Sequence, residues 1–372
     1  MLKKLKNIVK DLLAIAWVRK LYEGFNRTVL NIAASNRLFA TIYSLPGLLT
    51  FNREQYAVLK GRRNYYRNLK RDRLSHVELR RNIHRLEKGM IMQPRRPIFA
   101  RDYIGETIGF YEQAIAQCSR EASSLDSSEM EWAHNVLEKY FATVESGDAM
   151  VDDARARFAA SQQLYQPTGE GKKAPFVRKD TVMSNVSYDD LLALAMQRRS
   201  VRWFADKPVP RELIDKALMI GRQSPTACNR LPYEFRIYDD PGLVKKVAGI
   251  PFGSSGYSHQ IPTIVVVTGR LDSYFSPRDR HAIYVDSSLA SMAFMFGLET
   301  LGLSSSVINW PDFEPLEMKM QKTLGLDTSE RVVMLIAVGY ADPDGGIPFS
   351  QKKSLEALRN YNQMASNGQA KS

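Results

Sequence analysis

Apolar positions spaced three and four apart predict helices over residues 75–90, 103–118, 128–144 and 148–161. In the first, Leu79, Ile83, Leu86 and Met90 make one stripe. Ser75 with Glu78 makes a capping-box pattern there, and Gly89 is a candidate stop. In the third, Trp132, Val136, Tyr140 and Val144 recur every four residues, and Ser128 with Glu131 makes a second capping box. The pattern changes after residue 185. Helices are predicted over 187–197, capped by Ser187 and Asp190, and from Pro210, with Leu213, Ile214, Ala217 and Leu218 inward. Further helices are predicted over 243–248, 280–301 and 314–324. Strands fall between them at 233–238, 263–268, 305–308 and 332–339, the second and last apolar as buried strands are. A sheet covered by helices on both faces follows.

The first sixty residues are patchily apolar and basic. Leu5, Ile8, Val9, Leu12, Leu13, Ala16 and Trp17 fall at roughly helical spacing with lysines between. Two readings stay open: a helix lying on an anionic membrane surface, or one packed on its own protein. Residues 12–18 are too short to span a bilayer and end in Arg19-Lys20. A secretory signal is not expected, since it needs a longer apolar centre and a small-residue cleavage site. Residues 38–51 are broken by Ser44 and Pro46-Gly47.

Charge sharpens the division. The 372 residues carry a net +12, but residues 1–110 hold 23 Lys/Arg against 8 Asp/Glu, and the remainder 29 against 32. Residues 53–73 are densest, with Arg62, Arg63, Arg67, Lys70, Arg71 and Arg73 among Tyr56, Tyr65 and Tyr66. Such a run can meet nucleic acid. No recognised module surrounds it, so membrane phosphate or a polyanionic partner is the better expectation for residues 1–73. Two cysteines, Cys118 and Cys228, give neither a disulfide framework nor a four-ligand metal site, and a reducing compartment is the simplest reading. The stretch PTGEGKKAPFVRKD marks a boundary. The expected organisation is a basic, mostly helical region over 1–165, a linker over 166–185, a second domain over 186–362 and a tail over 363–372.

Two clusters in the second domain carry chemistry. Arg198, Arg199, Ser200 and Arg202 gather three guanidiniums and a hydroxyl, groups that match phosphate oxygens. Pro225, Thr226 and Asn229 lie in a small, polar turn able to aim amide and hydroxyl groups at a flat heterocycle. From about 186 to 361 the chain resembles the FMN-dependent nitroreductase family, which has an R-R-S-x-R helix end followed by a P-S-x-x-N-x-Q-P-W-type turn. Pro232 matches. Leu231 stands where the family often has Gln, and Tyr233 where it often has Trp. Gly302-Leu303-Ser304-Ser305 resembles the family's GLGS turn, and Lys352 and Lys353 stand where it places a basic residue on the flavin phosphate.

The resemblance implies an α+β fold. This is a three-layer α/β/α domain with a mixed, mostly antiparallel sheet, preceded by the helical region. It implies FMN held by Arg198, Arg199, Ser200, Arg202, Pro225, Thr226, Asn229, Gly302, Ser304, Lys352 and Lys353. It further implies a homodimer with FMN at the interface and the 280–301 helix in its core, although Met292-Ala293 replace a frequent Gln-Asn pair. Hydride would pass from NAD(P)H through flavin N5 to a nitroaromatic- or quinone-like acceptor by ping-pong exchange. The flavin carries the chemistry, so no catalytic side chain is expected, and His259 and His281 read as structural. No GxGxxG or Walker loop is present. The competing reading is a flavin-binding scaffold without turnover. Residues 84–89, HRLEKG, resemble the extension of nitroreductase-like proteins encoded with bacterial surface-polysaccharide genes; otherwise they read as a solvated face with helix ion pairs. The expected location is cytoplasmic, with a peripheral membrane contact as the alternative.

Overall fold

A computed structural model describes residues 15–44, 48–69, 76–118, 127–167, 169 and 173–362. The chain divides into two compact units, Met1–Lys60 and Gly61–Ser372. In the first, α1 (Ala16–Ala33) and α2 (Arg37–Ser44) pack on each other and leave most of their large apolar side chains exposed. Residues 5–13 and 70–75, which carry part of the N-terminal stripe, the end of the basic run and the Ser75 cap, lie outside the described residues.

Helix α3 (Leu48–Leu69) ends within the second unit. Its arginines were expected to face a polyanion, but Arg62 is used within the chain: its Nε donates to the Phe275 carbonyl at 3.0 Å. Four helices follow: α4 (Val77–Met90), α5 (Ile104–Cys118), α6 (Ser127–Thr143) and α7 (Ala149–Ser161). They share one core around Ile83, Leu86, Ile108, Tyr111, Leu137, Tyr140 and Phe158. Burying a large side chain contributes about 1.5–3 kcal/mol, so this core alone can hold the four helices together.

Three local expectations change here. Gly89 does not stop α4, because the helix continues to Met90. A Cβ at Gly89 would come 2.3 Å from the Phe99 ring, so the glycine is needed for close approach. Ser128 lies inside α6 and does not cap it; its hydroxyl and Glu131 both take Lys173. The segment expected as a linker or loop is fastened to α6 at that lysine. The third change is at HRLEKG. His84 Nδ1 lies 3.0 Å from Glu87 Oε2, a side-chain contact one turn along the helix as expected. Glu87 also accepts from Trp132 Nε1 at 2.9 Å, so it is tied into the bundle.

The remaining elements are α8 (Tyr188–Gln197), α9 (Arg211–Gly221), β1 (Tyr233–Tyr238), α10 (Pro241–Ala248), β2 (Thr263–Arg270), α11 (Ala282–Thr300), β3 (Ser304–Asn309), α12 (Glu314–Leu324), β4 (Glu330–Gly339) and the short α13 (Leu355–Leu358). The strands form one sheet in the order β1-β2-β4-β3, each neighbouring pair antiparallel. The one parallel pairing among the described residues is an isolated bridge from Ser200 to Ser305. Because side chains alternate along a strand, Ile264 and Val266 enter one core with Val244, Val247, Leu316 and Met320 of α10 and α12. Val265 and Val267 enter the other with Ile214, Ala217, Phe294 and Leu298 of α9 and α11. That gives the three layers. Helices α9 and α11 approach closely because Gly297 lies against Ala217; a Cβ there would sit 2.9 Å from the Ala217 Cα.

Candidate functional site

The Arg-Arg-Ser stretch leaves α8 where its hydrogen bonding ends. Ser187 and Asp190 form the expected capping box at the start of that helix, and Arg198 is its C-cap. The chain then runs beside β3, and Val201 N–H donates to the Ser305 carbonyl at 3.0 Å. Farther on it meets the end of β4, with Ala205 N–H on the Tyr340 carbonyl at 2.9 Å and Asp342 N–H on the Trp203 carbonyl at 3.0 Å. Gln260 holds the segment from the other side. Its Oε1 accepts from Phe204 N–H at 2.7 Å, and its Nε2 donates to the Arg202 carbonyl. No sequence motif marked Gln260.

Side chains around this fixed backbone leave capacity for an anion. Arg198 Nε is buried with no hydrogen-bond partner among the described residues. Arg199 Nη1 donates to the Phe349 carbonyl at 3.2 Å, which ties the C-terminal arm to the cluster at that residue; Lys352 and Lys353 follow on the same exposed arm. Arg202 Nη1 reaches the Ser200 carbonyl at 3.4 Å. Gly302, at φ +74, ends the turn after α11 and leads to Ser304, which opens β3 opposite Gly339. Glu299 sits at the same end of α11. Burial pushes its carboxyl up, against the Gln197 hydrogen bond and the Arg198 charge. The structure thus brings together Arg198, Arg199, Ser200, Arg202, Gly302, Ser304 and the arm.

The turn carrying Pro225, Thr226 and Asn229 is built differently and lies elsewhere. Cys228, Asn229 and Leu231 all have left-handed backbones, at φ 56, 53 and 47. Such a conformation is costly for these side chains and persists only where the surroundings enforce it. Here they do. Thr226 Oγ1 accepts from Leu231 N–H at 3.2 Å, and its carbonyl accepts from Asn229 N–H at 3.0 Å. Asp286 Oδ2 accepts from Ala227 N–H at 3.0 Å and from the Tyr274 hydroxyl at 3.1 Å. From the helical bundle, Arg80 Nε donates to the Asn229 carbonyl at 2.9 Å, while Arg80 also pairs with Glu129 and covers the Trp132 ring. Buried Arg230 lies 4.9 Å from the Tyr274 ring centre. Burial raises the Asp286 carboxyl, opposed first by the Ala227 amide and then by Tyr274 and Arg230. The sequence assigns no role to Asp286, Arg230 or Arg80, because their partners are distant along the chain.

Asp286 and Glu299 both belong to α11, thirteen residues apart. At about 1.5 Å per residue the two clusters are separated by roughly 20 Å along one helix. Between them α11 exposes Ser288, Leu289 and Met292 and half-buries Phe296, and Val285 just before Asp286 continues the same helical stripe. Among the described residues no group of three or more His, Cys, Asp or Glu is placed to hold a metal.

The nitroreductase family profile matches residues 195–255 and 252–340, a span that includes the Arg-Arg-Ser segment, the left-handed turn, all four strands and α11. This part of the chain is similar to the nitroreductase family. A curated relative named "Putative NADH dehydrogenase/NAD(P)H nitroreductase", from Methanothermobacter thermautotrophicus, is 28% identical to the chain over 167 residues, 44% of this chain and 76% of the relative. Iodotyrosine deiodinase 1 of Pongo abelii is 20% identical over 211 residues, 49% of this chain and 71% of the relative. Among solved structures, an FMN-dependent nitroreductase from Clostridium difficile matches at 18% identity and TM-score 0.40, over 46% of this chain and 99% of that one. The nitroreductase profile does not extend over the bundle that contributes Arg80. The Arg80 contact with the turn therefore comes from outside the matched residues, while Thr226, Tyr274 and Asp286 hold it from within them.

Proposed function

We propose that the protein is an FMN-dependent NAD(P)H oxidoreductase that works as a homodimer. The observation carrying this reading is the split along α11: the anion-ready cluster lies at its Glu299 end, the left-handed turn at its Asp286 end, and an exposed apolar stripe lies between. A second copy packed on that stripe about a two-fold axis runs its α11 the other way. Each turn is then carried toward the other copy's arginines.

The residues fit the cofactor. Arg198, Arg199, Ser200 and Arg202, joined by Lys352 and Lys353, supply donors and positive charge for the phosphate, and the unpaired Nε of Arg198 is one such donor. The turn carrying Pro225, Thr226 and Asn229 in the second copy would supply amide and hydroxyl groups to the ring, and Gly302 and Ser304 lie at the arginine end. Bound FMN supplies the two-electron chemistry, with NAD(P)H as donor and a small organic acceptor. The protein's part is to neutralise the phosphate, fix the ring between two chains and exclude water from one face. The names of the relatives span NAD(P)H nitroreductase and iodotyrosine deiodinase, so the acceptor is set by what covers the ring rather than by the shared fold.

The test begins with the colour of the purified full-length protein. A yellow protein that releases FMN, bleaches with NADH or NADPH without oxygen, and loses at least about tenfold in FMN affinity on Arg198→Ala supports the reading. Stoichiometric FMN that NAD(P)H never reduces favours a flavin-binding scaffold. A protein that cannot be loaded with FMN overturns both.

A further inference from the structure

The first compact unit leaves a feature that the flavin site does not use. On α1, Trp17, Leu21 and Phe25 follow at intervals of four and are each about 70% exposed. Ile32 continues the same side. Helix α2 adds Leu38, Phe39, Ile42 and Tyr43, all exposed, and buries nothing. A soluble monomer rarely shows so much contiguous apolar surface without a use for it. The charged residues on these helices are mostly basic. Lys20, Arg27 and Arg37 are exposed, and residues 1–44 hold eight Lys/Arg against two Asp/Glu.

We infer that α1 and α2 dock the protein on an anionic phospholipid surface, lying in the plane of the interface. An aromatic and aliphatic face backed by cationic residues is the pattern that sinks into the boundary between headgroups and acyl chains. Trp17 and Tyr43 suit that boundary, having apolar bodies with one polar group. The geometry is planar rather than spanning, since no helix among the described residues is long and apolar enough to cross a membrane. Charge decides between occupants. A second copy would bring an equally cationic surface against this one, and repulsion opposes that pairing. Nucleic acid would meet the charge but leave Leu21, Ile32, Leu38 and Ile42 without a base to stack on. Anionic lipid satisfies both the charge and the apolar face.

The test uses the full-length protein and flotation with phosphatidylcholine vesicles, with and without phosphatidylglycerol. Binding is expected to the anionic vesicles, and to fall about tenfold when phosphatidylglycerol is omitted or salt is raised to screen the surface. Trp17→Glu with Phe25→Glu removes two apolar contacts and adds like charge to the surface, and is expected to lower the partition coefficient by at least about 100-fold. Lys20→Glu with Arg27→Glu leaves the apolar face in place and is expected to lower anionic binding about tenfold while leaving phosphatidylcholine binding unchanged. All these side chains are exposed, so circular dichroism should match the parent protein. Three results would each overturn the inference. One is full-length protein that ignores anionic vesicles. Another is vesicle binding indifferent to both double substitutions. The third is a Trp17→Glu/Phe25→Glu protein changed only in self-association, or only in binding a DNA fragment.

Discussion

The helical bundle over 76–161 and the sheet domain over 186–361 handle apolar surface in opposite ways. In the bundle, large apolar side chains point inward, with Ile91, Met92 and Met150 the exceptions among the described residues. Its buried hydroxyls are paired: Tyr140 donates to the Phe99 carbonyl, and Tyr111 meets His134 Nδ1 at 2.7 Å. The sheet domain leaves Tyr188, Leu191 and Met196 of α8, the α11 stripe, and Ile347, Phe349, Leu355, Leu358 and Tyr361 of the arm in solvent. One region completes its own core. The other has a good core between its layers and a second apolar surface that nothing among the described residues covers. Closure and incompleteness of this kind separate a part that is finished when folded from one that is finished when assembled.

That contrast is open to attack at several points. Leu289→Asp with Met292→Asp places charge in the middle of the exposed stripe. It is expected to weaken self-association on the order of 1,000-fold and to empty the protein of FMN, while the bundle melts as before. Sedimentation and flavin absorbance read the two effects together. An unchanged dimer with full flavin would show that assembly uses another surface. Inside the bundle, Tyr111→Phe leaves His134 Nδ1 without its partner, and should cost about 1–3 kcal/mol of stability with no change in FMN affinity. Denaturant melts check this.

The same pair predicts a pH dependence. Burial holds His134 below its usual value, opposed by Glu138, and burial likewise lowers His76. A histidine kept neutral in the fold but free to charge when unfolded contributes stability above its ordinary value of about 6.5. That contribution is lost as pH falls through the lowered folded value. The bundle should weaken on acidification, and His134→Gln should flatten part of the slope in melts taken across that window. The smallest expected effect lies in the sheet domain. Glu299→Gln removes a negative charge beside Arg198 and should tighten FMN binding about three- to tenfold, read by flavin fluorescence.

Much of this architecture was legible along the chain. Strand β1 and helix α12 fall where period and turn residues put them, because Phe235 and Ile237 of the strand pack half-buried on one core and Leu316 and Met320 of the helix are buried in the other. Ser187 and Asp190 cap α8 as their spacing implies. What stayed hidden depends on partners far away in sequence. Gly89 carries a stop signal but answers to the Phe99 ring. Ser128 and Glu131 have capping spacing, yet Lys173 takes them both. In the candidate site, arginines and a polar turn announce themselves by composition, while the supports that shape them do not. Asp286 sits in an apolar helix, and Arg80 in a bundle with a different fold. A one-dimensional reading therefore named candidate ligand groups, and missed both the scaffold and the distance between the halves.

That distance has a genetic meaning. If every binding site takes arginines from one chain and a turn from the other, damage does not stay with the copy that carries it. Consider one chain lacking its arginines and another lacking its turn, each inactive when paired with its own kind. Joined to each other they place both injuries in a single site and leave the opposite site whole. Two different null alleles of such a gene could thus restore function to a cell that carries both, whereas two identical ones could not.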